Sequence, residues 1–319
     1  MPGGLTGPRR TGRRAGPSAS TAGPGRPARE PAGAADGLRG GRTRPERRPG
    51  YRHRMAEAPE KFDAAMTAWR EWQDAPWGRL RHTIAEANLV RHLDGPGGGP
   101  LRILDLAGGD GGDAVRLAAR GHHVTVVDHA PAMLAAAAER AAASGLAESV
   151  TCVRADVTAL PAHLAGGEFD VVLCHNLLQY VDDVAGTLAA ALAPLRSGGL
   201  FSVMAVNRHS AALNIAVREG DPAAALAALD TDRSRARTFD SVLRLHTAEE
   251  VVPVLRSLGC RDVHHYGIRG FCDYITDDAR KRDPAFYADL ERLELATTAR
   301  PPYTHTARLF QLTATKGGR

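Results

Sequence analysis

From Leu101 onward the apolar positions fall into short unbroken runs separated by amphipathic stretches. LRILDL (101–106), HHVTVVD (122–128), SVTCVRAD (149–156), FDVVLCH (169–175) and LFSVMAV (200–206) read as strands. Helical spacing fills the intervals at 113–119, 131–144 and 183–195. Strands that are apolar on both faces and alternate with helices predict a parallel sheet covered on both sides. Ahead of this rhythm, Phe62, Met66, Trp69 and Trp72 step by three and four, the spacing of one helix face. A second helix is predicted over 80–93, and GPGGGP (95–100) then breaks the chain. Past residue 206 the rhythm lapses. Residues 208–246 read as a helical, irregular insertion, and 247–258 as a helix with Thr247 and Glu250 in capping-box spacing. DVHHYGI (262–268) is a sixth strand, 284–296 a helix, and THTARLFQLTATK (304–316) a last strand whose alternation suits an antiparallel neighbour.

Charge divides the chain of 319 residues sharply. Residues 1–54 hold 13 Arg, no Lys and three acids, with 12 Gly and 8 Pro. So few apolar residues cannot offset the entropy of ordering, so this segment is expected to be a disordered tail. It is either sequence upstream of a true start at Met55 or a nucleic-acid-binding arm. Residues 55–319 carry a net charge of −5, against +10 for the tail, which argues against a domain that grips phosphates over its whole surface. No run approaches the length of a membrane span. Cys152, Cys174, Cys260 and Cys272 include no CxxC pair, which points to reduced thiols in a cytoplasmic protein and not to a metal site.

The candidate chemistry begins at ILDLAGGDGGD (103–113). A strand, a glycine-rich turn and a helix start bring backbone close to a ligand. The glycines Gly108, Gly109, Gly111 and Gly112 do not follow the G-x-G-x-x-G spacing of dinucleotide sites. Instead an acid, Asp105, closes the first strand, where it repels phosphate and suits an ammonium. Asp128 closes the second strand, where a carboxylate can accept both hydroxyls of a ribose. Asp156 closes the third, within reach of an adenine amino group. An aminoacyl nucleoside fits all three: S-adenosylmethionine (SAM). The competing reading is that each acid only caps the helix that follows it.

These motifs, together with the FDVVLCHNLLQYVDD loop (169–183), resemble class I SAM-dependent methyltransferases over residues 101–206. The resemblance implies an α/β fold: a doubly wound, seven-stranded, mostly parallel Rossmann-like sheet with an antiparallel last strand, a helical N-terminal lid and a helical insertion after strand five. Helices at 55–98 would precede a SAM-binding core at 101–206. The insertion and a helix (207–261) and the C-terminal strands and helix (262–319) would follow. The cofactor-binding set then comprises Asp105, Ala107, Gly108, Gly109, Gly111, Asp128, Ala155 and Asp156. Ala107 stands where the family motif has glycine, and it is expected to keep a negative φ. GRLR (78–81), CHNLLQYV (174–181), VNRH (206–209), GIRGFCDY (267–274) and LELATTARPPY (293–303) are similar to the family that methylates 5-carboxymethoxyuridine at the tRNA wobble position. That resemblance implies that Arg81 and His175 contact SAM.

Three functions stay open: O-methylation of a carboxylate or hydroxyl on a small molecule, methylation of a tRNA wobble uridine, and SAM binding without catalysis. No [DNS]-P-P-[YF] follows strand four and no Pro-Cys loop is present, which argues against amino methylation of bases and against cytosine C5 attack. His175 is a candidate base or cofactor contact. Arg269 is the candidate grip on an acceptor carboxylate, with Asp273 and Tyr274 orienting it. Arg208 and His209 are placed at the rim of the same pocket. Trp69, Trp72 and Trp77 form either a lid or ordinary helix core. The basic runs at 232–237 and 280–282 read as solvated faces, with RNA contact as the alternative.

Overall fold

The computed structural model describes residues 59–318 except 94–98, 167 and 237–240, and gives only the backbone at 59–65, 235, 236 and 241. The expectation of a disordered tail at 1–54 lies outside the described residues. Two helices lead, α1 (Pro59–Asp74) and α2 (Pro76–Leu93). Pro76 starts α2, where its missing N–H costs nothing. The alternating core follows: β1 (Arg102–Leu106), α3 (Gly112–Ala118), β2 (His123–Asp128), α4 (Pro131–Ala143), β3 (Val150–Arg154), β4 (Phe169–His175), α5 (Val184–Leu192) and β5 (Leu195–Val206). The insertion contains α6 (His209–Asn214), a π-helical turn at 215–219, α7 (Pro222–Ala228) and a hairpin of β6 (Arg233–Ala236) and β7 (Ser241–Arg244). α8 (Ala248–Ser257), β8 (Cys260–Ile268), α9 (Pro284–Thr297), the single turn α10 (Tyr303–Thr306) and β9 (Leu309–Lys316) complete the chain.

One seven-stranded sheet has the order β3-β2-β1-β4-β5-β9-β8. β1 to β5 run parallel, and β9 is antiparallel to both its neighbours, β5 and β8. The order reverses between β1 and β4, so their carboxyl ends open the crevice where such sheets bind ligands. Strand alternation sends neighbouring side chains to opposite layers. Leu104 and Leu106 pack with Leu188, Val251 and Leu255 under α5 and α8. Ile103 and Leu173 join Leu117, Val124 and Leu134 under α3 and α4, while Leu80, Ile84 and Leu290 seal α2 and α9 onto Met204 and Ile268. Each fully buried Leu or Ile is worth about 1.5–3 kcal/mol of transfer free energy.

The expected capping box is present: Glu250 N donates to Thr247 Oγ at 3.3 Å and Thr247 N to Glu250 Oε2 at 3.1 Å. Two expectations need correction. The insertion is not wholly helical, because β6 and β7 pair as a two-stranded sheet of four-residue strands, too short to show a period. The last strand begins at Leu309 and not near 304, because Tyr303–Thr306 first makes a helical turn. All four cysteines are free thiols. Among the described residues no helix is long and apolar enough to cross a membrane.

Candidate functional site

The glycine-rich turn lies over the carboxyl end of β1. Ala107, Gly109 and Gly111 all have positive φ, at 55°, 56° and 72°. Ala107 therefore does not keep the negative φ expected of it; the turn requires the left-handed region even with a Cβ present. Gly108 serves a different purpose. A Cβ there would lie 2.7 Å from the Asp105 carboxylate and 2.9 Å from Val126, so only glycine lets the turn close onto the acid.

Asp105 faces the same layer as Ile103, toward α2 and α3. It is 2% exposed, and its Oδ2 has no hydrogen-bond partner. Burial first, then the negative charge of Asp113, raises its carboxyl well above the usual range. Beside it stands a buried charge cluster. Asp113 Oδ2 accepts from Arg81 Nη2 at 3.2 Å and pairs with His175 Nδ1 at 2.8 Å, while its Oδ1 meets His82. Burial pushes the Asp113 carboxyl up, but the charges of Arg81 and His82 and the hydrogen bonds of both histidines hold it well below the usual range. A Cβ on Gly112 would come within 2.6 Å of the His82 ring, so this glycine admits the ring beneath the start of α3. Turning the Asn176 amide lets its oxygen accept from Arg81 Nη2 at 3.0 Å.

His175 is 5% exposed, and both its ring nitrogens are taken: Nδ1 by Asp113, and Nε2 by Ser202 Oγ at 2.9 Å. The ring is a brace between β4, β5 and α3, without the free nitrogen that a base needs. Asp128 Oδ2 accepts from Gly109 N at 3.0 Å and Oδ1 from Ala130 N at 2.9 Å, so it ties the turn to β2. A carboxylate has about four acceptor sites; His129 Nδ1 also lies 3.3 Å from Oδ1, so it is Oδ2 that keeps capacity for a ligand hydroxyl. Ala155 N donates to Asp128 O, and Asp156 Oδ1 accepts from Thr158 N and Oγ at 2.9 and 2.7 Å.

A second feature lies past the end of β8. A cavity of about 200 Å³ is lined by Trp72, Trp77, Arg218, Arg269, Asp273 and Lys281, with Cys272 and Asp278. Arg269 and Asp273 form a two-pronged pair, Nε to Oδ2 and Nη2 to Oδ1, both at 2.8 Å. The guanidinium carbon of Arg269 lies 5.5 Å from the Trp72 ring centre, and Trp72 stacks on Trp69 at 5.6 Å. The backbone N–H groups of Gly270, Phe271 and Cys272 all donate to the buried Glu294 carboxylate, at 2.7, 3.0 and 2.8 Å, which fixes the loop that presents Arg269. Burial, then the charge of Asp273, pushes the Cys272 thiol up to about 12, so it is not a nucleophile.

Other expected rim residues lie elsewhere. The Tyr274 hydroxyl donates to Thr306 O and is pushed up to about 12 by burial and by Asp273, so of the two residues expected to orient Arg269 it is Asp273 that holds it. Arg208 pairs with Glu250 at 2.7 Å and His209 with Glu249 at 3.4 Å, so both turn to α8 and not to this pocket. Asp113, Ser202, Glu294 and Lys281 were not picked out from the sequence as site residues. Asp113 has the look of a first-turn helix acid, and Lys281 sits between two exposed arginines.

Residues 103–199 match the family model described as a methyltransferase domain. The chain as a whole is 29% identical over 239 residues to the tRNA 5-carboxymethoxyuridine methyltransferase of Escherichia coli K12, covering 75% of this chain and 89% of that protein. It is 35% identical over 158 residues to the ubiquinone biosynthesis O-methyltransferase of Aromatoleum aromaticum, covering 50% of this chain and 65% of that one. A solved SAM-dependent methyltransferase of Thermotoga maritima, described as a possible histamine N-methyltransferase, shares the fold at TM-score 0.52 and 17% identity. That similarity covers 81% of this chain and 99% of the other. The matched residues run from β1 into the start of β5, and the tryptophans, Arg269 and Lys281 belong to segments on either side of them.

Proposed function

We propose that this protein transfers a methyl group from SAM to a carboxylate oxygen, and that the carboxylate belongs to 5-carboxymethoxyuridine at the wobble position of tRNA. The observation that carries the reading is the cavity walled by Trp72, Trp77, Arg269 and Lys281, in which positive charge outnumbers negative by one. Support for the tRNA acceptor comes from the extent of the Escherichia coli likeness: at 239 residues it is far longer than the 103–199 segment and covers 89% of that protein.

The residues present fit the cofactor. The orphaned, buried Oδ2 of Asp105 is an acceptor that a substrate ammonium can use, and Gly108 lays the turn against it with no Cβ between. Asp128 would take the ribose hydroxyls, and Ala155 and Asp156 the adenine. Arg81 and His175 act through Asp113, holding a negative charge beside Asp105. When bound, SAM supplies a methyl group on a sulfonium, and a carboxylate oxygen takes it by in-line displacement, with the carbon–sulfur pair left on sulfur and no proton moved. The protein then has no need of a base, in keeping with the engaged nitrogens of His175 and the protonated Tyr274 and Cys272. Its contribution is alignment and the exclusion of water.

A small-molecule carboxylate is the second reading, favoured by the net charge of −5 over 55–319, which offers an RNA little general attraction. Methyl transfer from labelled SAM to total tRNA, run beside a small-molecule extract, decides between them. Base-labile label in tRNA is the expected result, because a methyl ester hydrolyses in alkali. Label confined to the extract would move the acceptor to a metabolite.

A further inference from the structure

Lys281 sits in a short 3₁₀ turn between exposed Arg280 and Arg282, in a run of three cations that resembles solvated surface. Arg280 does lie outward, over the Phe286 ring at 4.7 Å. Lys281 does the reverse of snorkelling. Its side chain is 1% exposed and its ammonium ends on the wall of the cavity, 5.8 Å from the Trp77 ring centre. An ammonium out of water costs several kcal/mol unless its three donors find acceptors. Lys281 Nζ has one, Asp278 Oδ1 at 2.7 Å.

The other two cations of the cavity are better satisfied. Arg269 commits Nε and Nη2 to Asp273, and its Nη1 lies 3.5 Å from Trp77 O. Arg218, on the π-helical turn, donates from Nη2 to Asp278 Oδ2 at 2.6 Å and from Nη1 to Ile275 O at 3.1 Å and Asp273 O at 3.3 Å. Three cations thus face two carboxylates. The half-buried Arg308, felt at Asp273, and the buried Glu294, felt at Cys272, add one charge of each sign, so the balance stays at one positive charge.

We propose that Lys281 is the residue that fixes the acceptor carboxylate, and that its spare donors make the protein select a carboxymethyl group over the corresponding ester or amide. The inference rests on the carboxylate reading of the acceptor and names the contact that enforces it. A monoanion neutralises the cavity and supplies the acceptor that the ammonium lacks. Arg269 already has a carboxylate of its own in Asp273, whereas Lys281 shares Asp278 with Arg218. Lys281 holds one oxygen as a point charge, which leaves the other free to attack. Methylation turns the anion into a neutral ester, so the product loses the charge by which the substrate was held and leaves. The cavity is smaller than the several hundred Å³ usual for whole small-molecule ligands, which suits the reacting arm of a larger acceptor.

The test uses the full chain and two readouts. In the first, 5-carboxymethoxyuridine and its methyl ester are titrated by calorimetry into the wild type, Lys281→Met and Lys281→Arg, each with S-adenosylhomocysteine present. The wild type should bind the acid at least tenfold more tightly than the ester. Lys281→Met should bind both alike, and Lys281→Arg should recover part of the preference. In the second, methyl transfer is measured with tRNA carrying 5-carboxymethoxyuridine. KM should rise about tenfold to a hundredfold in Lys281→Met, the worth of one charge-assisted hydrogen bond, while S-adenosylhomocysteine affinity is unchanged. Equal wild-type affinity for acid and ester, or an undiminished preference in a folded Lys281→Met, overturns the role of Lys281. Preference in the nucleoside titration without transfer to the tRNA upholds Lys281 and overturns the tRNA acceptor instead.

Discussion

His175 Nδ1 and Asp113 Oδ2 meet at 2.8 Å beneath the glycine turn, and the opposite nitrogen of the same ring meets Ser202 Oγ at 2.9 Å. The histidine at the end of β4 therefore joins two strands to the start of α3. It also keeps Asp113 beside Arg81 and His82. Replacing it by Ala should cost about 1–3 kcal/mol of stability, because Asp113 loses a partner in a buried cluster. Urea titration reads that loss. With saturating substrates, the shape of the pH–rate profile should not change. Disappearance of an ascending limb in the variant would return His175 to the role of base.

Asp105 and Asp113 titrate in opposite directions, and the signs can be separated. The carboxyl of Asp105 is raised by burial and by Asp113, so above pH 3.8 the unfolded chain gives up this proton more readily than the folded one. Stability is therefore lost as pH rises from 3.8 toward the raised folded value, by at most about 1.4 kcal/mol per pH unit. Asp113 is depressed, so it adds stability above 3.8 that is lost as pH falls through its folded value. In Asp105→Asn, stability relative to wild type should improve as pH rises from about 4 toward the raised folded value of Asp105 in the absence of ligand, while S-adenosylhomocysteine binds more weakly. A flat difference between the two proteins over that range would show that Asp105 is ionised without a ligand.

Much of the fold and of the cofactor side of the site is legible in the sequence. Apolar strands alternating with helices, and the acids Asp105 and Asp128 at strand ends, depend on local pattern, and local pattern is what a sequence displays. The buried charge cluster was not legible in the same way. Asp113 reads as an ordinary acid in the first turn of a helix, and only the crossing of α2 over α3 brings Arg81 and His82 to it. Glu294 is similarly one acid among several on α9, yet it holds three backbone N–H groups of a loop more than twenty residues earlier. Lys281 was obscured by its neighbours, since a run of three cations resembles solvated surface until the turn points its middle member inward. Ala107 shows a different limit. The sequence marks the departure from glycine, but its φ of 55° is imposed by the turn and not by the residue.

Asp128 couples the turn to the second strand, so its replacement has two effects that separate by variant. In Asp128→Ala, Gly109 N and Ala130 N both lose their acceptor, and both stability and ligand affinity should fall. For S-adenosylhomocysteine the loss should be about 1.5–3 kcal/mol, the value of hydrogen bonds to a charged group. Asp128→Asn keeps one carbonyl oxygen and should be milder in both. Calorimetry and thermal unfolding on the same samples read the two effects, and unchanged affinity in Asp128→Ala would remove the ribose assignment.

Arg269 combines charge with backbone strain. Its φ is 62°, a conformation that costs a non-glycine residue about 1–2 kcal/mol, and it is held there while its carbonyl accepts Arg308 N at 3.1 Å and its fork grips Asp273. Removing the side chain should therefore act differently according to what replaces it. Arg269→Ala keeps the strained backbone and loses the pair that stabilised it. Arg269→Gly loses the pair but not the freedom, so it should be the more stable of the two by about 1 kcal/mol. Both variants strip the wall beside Trp72 and leave Asp273 unpaired, putting negative charge into a cavity that is to receive an anion. Their KM for a carboxylate acceptor should rise by at least as much as in Lys281→Met, while S-adenosylhomocysteine affinity stays near wild type. Arg269→Lys restores the charge but not the two-pronged grip, so it should recover only part of the loss. The pairing with Asp273 gives the decisive check. Arg269→Ala combined with Asp273→Ala removes the unpaired acid, and its KM should fall back toward wild type. A double variant as impaired as the single would mean that Arg269 itself grips the acceptor.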